Sequence, residues 1–142
     1  MTQEEKDRIQ KDFVKNFVQK ERRERYYAQL KNPQKRWKFA DRLNHNWDSF
    51  LDMRYLTELD KDYADYPENI QKELGFKDNE LCYVISNYEA YDDKIFLFKE
   101  VFVEIYSRGL ATIVMNISAN IFFLETERLG KHGARFIGKV KK

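Results

Sequence analysis

The chain has 142 residues, 42% of them hydrophobic and 35% charged, and its formal net charge is only +2. Two Trp, nine Tyr and eleven Phe suit a packed core and exclude global disorder. The single cysteine, Cys82, excludes an internal disulfide framework and fits a reducing compartment.

The opening residues MTQEEKDRIQKDF hold no apolar segment of secretory type. The spacing predicts one long helical arm over residues 3–31. Ile9, Phe13 and Phe17 form its stripe, with Val14 and Val18 beside it, and Tyr27 and Leu30 resume it later. Asn32-Pro33 reads as a cap followed by a helix's first residue. A second helix is expected from Pro33 to about Asn46, burying Trp37, Ala40, Leu43 and Trp47. Residues 49–59 suggest further helix or a tight turn, and residues 60–67 a loop. Pro67 then opens a short helix, PENIQKEL, which Gly75 stops.

Leu81–Ser86 is predicted as a strand from its aromatic and β-branched residues. Residues 87–93 read as a polar loop that supplies a cap at Asp92 or Asp93 for a helix over 95–108, ended by Gly109. Residues 110–117 (LATIVMNI) are apolar on both faces and so read as a central strand. Turns at 118–120 and 127–133 lead to strands over 121–126 and 134–140. The last is expected at a sheet edge, with Lys139, Lys141 and Lys142 discouraging further pairing. The uncharged stretch 110–124 is shorter than the roughly 20 residues of a spanning helix. The expectation is a cytoplasmic protein that does not enter a membrane.

These elements predict one α+β domain over residues 1–142: a helical arm (1–31), a helical region (33–75) and a β-α-β-β-β unit (80–142). The N-terminal helices would pack on a four-stranded mixed sheet, in which a crossover joins parallel strands 81–86 and 110–117.

Charge is unevenly distributed. Residues 20–42 carry nine Lys/Arg against three acids, whereas residues 43–80 carry ten acids against four Lys/Arg. The basic segment offers Lys20, Arg22, Arg23, Arg25, Lys35 and Arg36 to phosphates and Tyr26, Tyr27 or Trp37 to a base, as RNA or single-stranded DNA binding would require, although Trp37 also falls on the stripe assigned to the core. The acidic and basic segments facing each other within the fold, a shared solvated surface, or an oppositely charged protein partner accounts for the same pattern.

Chemistry is sparse. Asp41, His45, Asp48 and Asp52 would share one face if the second helix ran on through Asp52. Histidine among carboxylates suits a divalent metal or acid–base work, the kit of a metal-dependent hydrolase. Cys82, inside an apolar strand, reads as a buried inert thiol. Lys131, His132 and Arg135 could form a small anion spot. No zinc spacing, calcium loop or phosphate-cradling glycine cluster occurs, and no cofactor is expected. The favoured expectation is therefore a non-enzymatic binding or regulatory protein. It would act through a protein partner, with Trp47, Phe50, Tyr55, Tyr63 and Tyr66 as recognition rings, or by self-association of the N-terminal helix.

Overall fold

The computed structural model describes residues 2–106, 110–126 and 134–140. They form a mixed α+β fold of six helices and one six-stranded sheet. In chain order these are α1 (Gln3–Phe17), α2 (Arg23–Lys31), α3 (Arg36–His45), β1 (Leu56–Glu58), α4 (Lys61–Ala64), α5 (Pro67–Leu74), β2 (Leu81–Ser86), β3 (Lys94–Leu97), α6 (Phe98–Ile105), β4 (Thr112–Asn116), β5 (Ile121–Glu125) and β6 (Arg135–Lys139). Strand order is β1-β6-β5-β4-β2-β3, and every neighbouring pair is antiparallel. No helix among the described residues is long and apolar enough to cross a membrane.

The strands bury both faces. Tyr83, Ile85, Ile113, Met115, Phe122, Leu124 and Phe136 point to one side, where α1, α2 and α3 bring Ile9, Phe13, Phe17, Tyr26, Leu30, Phe39 and Leu43. Cys82, Val84, Val114, Phe123 and Ile137 point to the other, where they meet Ala64, Ile70 and Leu74 of α4 and α5 and Phe98, Val101, Phe102 and Ile105 of α6. This alternation is the period-two geometry of a strand, applied to residues that are apolar at both phases. The result is three layers, helices on each side of a sheet. The N-terminal helices and the helix near residue 100 thus take opposite faces.

The sheet differs from expectation in number and direction. The expected sheet has four mixed strands; six antiparallel ones form. The expected parallel pair, 81–86 and 110–117, is antiparallel, with Tyr83 opposite Met115 and Ile85 opposite Ile113. The cause is β3. Lys94–Leu97 fold back along β2 before the helix begins, so the crossover through α6 connects β3 to β4, which run in the same direction with β2 between them. The expected helix over 95–108 therefore starts only at Phe98. Its first amides are taken by the carbonyls of Glu80 (2.8 Å) and Asp78 (3.0 Å), and neither Asp92 nor Asp93 caps it. It ends at Ile105, where Tyr106 already turns away from helical backbone (ψ 129°), short of the expected end at Arg108 and Gly109; those two lie outside the described residues, as do Lys131, His132, Lys141 and Lys142.

The strand over 135–139 is internal rather than an edge. β1 pairs along it, Leu56 opposite Gly138 and Glu58 opposite Phe136, so the edges are the two short strands β1 and β3. Gly138 is required for a local reason: a Cβ there would run into the Phe122 ring. That ring lies between β6 and α1, with edge-on contacts to Phe13 at 5.3 Å and Phe17 at 4.6 Å.

The N-terminal arm is not one helix. α1 stops at Phe17, and Val18 turns extended to bridge Leu51. The amide of Gln19 donates to Phe50 O (2.8 Å), and that of Asp52 to Phe17 O (2.7 Å). A single 3₁₀ turn, Lys20–Arg22, then leads into α2, which packs back beside α1. The polar run KERRER carries no apolar residue to hold a straight helix on the core, and tertiary pairing with the 50–52 segment wins. Asn32 caps a turn instead of a helix, its Oδ1 accepting from the Gln34 amide at 3.0 Å, and α3 begins only at Arg36. Residues 60–67, expected as a loop, contain the one-turn α4, whose Tyr63 amide donates to Asp60 Oδ2 (3.3 Å). α5 and its left-handed cap at Gly75 (φ 72°) are as predicted.

Candidate functional site

The four residues Asp41, His45, Asp48 and Asp52 do not share a helix face. α3 ends at His45, Asn46 is its C-cap, and Asp48 lies in the 3₁₀ turn Trp47–Ser49. Asp52 is taken up locally. It receives Arg54 Nε (2.9 Å) and Nη2 (2.6 Å) and the Arg54 amide, and the side-chain bonds from Arg54 hold its carboxyl below the usual range. Among the described residues no group of three or more His, Cys, Asp or Glu is placed to hold a metal ion. Cys82 is buried on the α6 side of the sheet. Burial, aided by the nearby Glu80 charge, pushes its thiol up to about 12, the opposite of what a nucleophile requires. Arg135, expected in an anion spot, is buried and donates its Nε to Glu125 (2.9 Å).

The predicted basic surface divides in two. Lys20, Arg22, Arg25 and Lys35 are exposed, whereas Arg23 lends its Nε to the Val18 carbonyl (3.0 Å). Tyr26 is buried, stacked on Phe50 at 4.4 Å and 20°. Arg36 is buried as well and forms a bidentate pair with Asp92, Nε–Oδ2 and Nη2–Oδ1 both at 2.8 Å, while Nη1 donates to Leu30 O at 2.8 Å. Burial works against its charge, but the hydrogen bonds to Asp92 and the neighbouring Tyr83 and Asp93 outweigh it, so its pKa is raised. Asp93, at φ 60°, accepts from Tyr83 OH (2.6 Å), which in turn accepts from Gln10 Nε2 (2.8 Å). The two aspartates expected to cap a helix thus tie the N-terminal helices to the sheet. Arg36 and Tyr26 belong to structure, not to a ligand surface.

The predicted recognition rings are mostly spent on the core too. Phe50 is fully buried, Trp47 is half-buried against Phe136 (5.7 Å), and Tyr55 is half-buried edge-on to Phe17 (6.5 Å). Tyr63 donates its hydroxyl to Glu73 (2.8 Å), a bond that raises its pKa. Only Tyr66 of the five is exposed. The stripe Ile9, Phe13, Phe17 of α1 lies under the sheet and is unavailable for joining two chains.

One ring moves the other way. Trp37, expected in the core, is 61% exposed. α3 buries Arg36, Phe39, Ala40, Leu43 and Asn44 instead. At 100° per residue, a stripe centred between Phe39 and Leu43 leaves Trp37 about 140° away; Phe39 is the residue whose weight turns the helix. Asn44 shares Trp37's side two turns on, and it is covered because it bonds to Asn87 and the Ala111 amide. Trp37 stands over a groove of about 330 Å³ between α2 and α3, lined also by Arg25, Gln29, Lys38, Asp41 and Arg42. Lys38 Nζ lies 5.8 Å from the indole centroid. Gln29 is 8% exposed and its buried Oε1 has no hydrogen-bond partner, so the groove wall holds an unused acceptor. No family model, no curated protein and no solved structure matches the chain; the surface has to be read from its own geometry.

Proposed function

We propose that this is a non-enzymatic, cytoplasmic binding protein that engages a protein partner through the outer face of α2 and α3, with Trp37 as the anchor. The observation that carries this is the exposed indole beside Arg25 and Arg42, on a chain whose other large rings are nearly all used internally among the described residues. Tryptophan and arginine dominate binding energy in protein interfaces. The surplus of Lys and Arg over 20–42 favours a partner of acidic character.

Single-stranded nucleic acid is the second reading, supported by the exposed Lys20, Arg22, Arg25, Lys35 and Lys38 on the same helical segment as the ring. Asp41 in the groove wall and Glu21 and Glu24 among the cations oppose a phosphate track, which makes it the weaker of the two.

The test is capture from the native host on immobilised chain, identification of what is held, and calorimetry with that protein purified. Trp37→Ala is expected to weaken binding about tenfold or more, the loss of roughly 1.4 kcal/mol or more from one anchor. Unfolding stability should change by no more than about 0.5 kcal/mol, because the ring is exposed. Equal affinity for wild type and W37A overturns the reading. Binding of a mixed-sequence oligonucleotide that falls steeply with salt and requires Trp37 transfers it to nucleic acid.

A further inference from the structure

The sheet separates charge as well as chain. The layer of α1, α2 and α3, residues 3–45, carries thirteen Lys/Arg against seven acids; on the opposite face, residues 60–80 and 98–105 carry nine acids against four Lys/Arg. The acidic face also has an opening. Between α5 and α6 lies a groove of about 320 Å³ whose walls, among the described residues, include Pro67, Phe98, Phe102 and Val103, with Glu68, Asp78 and Lys99. Val103 is 77% exposed, and Tyr66 stands exposed in the residue before α5. One face therefore offers a projecting indole among cations. The other offers an apolar slot on an acidic layer.

We propose that the chain associates head to tail, the Trp37 face of one copy seating in the α5–α6 groove of the next. This rests on the reading of Trp37 as an anchor and names a second copy as an occupant that fits it. Because the two surfaces lie on opposite sides of the sheet, the contact is heterologous: each copy in a pair leaves one face unmatched, and assembly proceeds past the dimer until a ring closes or an open chain results. Opposed charge steers the encounter and makes it sensitive to salt, while burial of the indole against Phe98, Phe102 and Val103 supplies the attraction that salt leaves intact.

Sedimentation velocity on the full chain over a concentration series, at low and high salt, tests this with two surface variants. Wild type is expected to form species larger than a dimer at low salt and to weaken at high salt. Trp37→Ala and Val103→Arg each spoil one face and should be monomeric alone. Mixed together they should form a one-to-one dimer and nothing larger, because one copy supplies the intact ring and the other the intact groove. A wild-type monomer throughout at low salt overturns the proposal, as does a closed wild-type dimer, association that neither substitution changes, or a mixture that stays monomeric. If wild type is monomeric yet captures a partner that W37A does not, head-to-tail assembly fails while the binding function stands.

Discussion

Each helical layer is pinned to the sheet by one buried arginine, and the two pins are built differently. On the α1–α3 side Arg36 sits on a helix and reaches out to Asp92 in the loop before β3. Beside it run the Gln10–Tyr83–Asp93 chain and Asn44, which accepts from the Ala111 amide (2.8 Å) and donates to Asn87 (2.8 Å). On the α4–α6 side Arg135 sits on a strand. It reaches up to the Ala64 carbonyl (3.0 Å) and Asp65, while Glu125 holds its Nε and the Tyr106 ring lies 4.6 Å away. Apolar packing is not directional, so three helices carrying mainly aromatic side chains need several polar ties to fix their positions. The acidic layer, shorter in chain and joined to the sheet by tight connections, shows a more compact set around one cation.

The largest effects should come from removing either pin. Deleting one partner of a buried pair costs about 3–5 kcal/mol, because the other charge stays behind. Arg135→Ala is expected at the upper end, since both members of its pair with Glu125 are almost fully buried (6% and 2% exposed) and Arg135 also holds the Ala64 carbonyl and Asp65; Arg36→Ala is expected at the lower end, since Asp92 is 20% exposed and reaches water. Urea midpoints at unchanged m-value measure both. The reverse order would show that burial of the pair does not set the cost.

Next comes Gly138→Ala, which forces the Phe122 ring away from Phe13 and Phe17 and should cost about 1–3 kcal/mol by overpacking. Adding Phe122→Leu should return part of that loss, because the two sites share one space; additive costs would separate them.

At neutral pH no effect of this kind is expected, and the faces separate only on the alkaline side. Burial holds Cys82 protonated up to about 12 against an ordinary 9.0. Its contribution is therefore complete below about pH 9 and is lost as pH rises toward 12, where the unfolded thiol has ionised and the folded one has not. Tyr83, on the other face, is raised mainly by burial and by its bond to Asp93, so its loss begins later, above about pH 10. Cys82→Ala should remove the earlier part of the alkaline limb and leave the later part. Ellman's reagent should find the thiol unreactive near pH 8 until the chain unfolds.

Much of the framework could be read from the residues. LATIVMNI announced a strand buried on both faces, and PENIQKEL followed by glycine announced α5. What escaped was long-range. Lys94–Leu97 are a strand only because β2 runs beside them; taken alone, KIFL continues smoothly into the helical pattern of FKEVFVEI. β1 pairs with residues about eighty positions away, and no local signal records such a partner. The candidate surface suffered most, since Phe50, Tyr26 and Arg36 look exposed or basic in sequence and are buried by contacts from elsewhere.

The amino-acid sequence by itself determined which segments are apolar at one phase or two, where helices start and stop near Pro67 and Gly75, and how charge is apportioned along the chain. These follow from side chains and their nearest neighbours. Only the tertiary structure decided the direction of every strand, the internal place of β6 and the outward turn of Trp37. Each of those depends on contacts between residues far apart in sequence, where packing of the whole outweighs the preference of any one stretch.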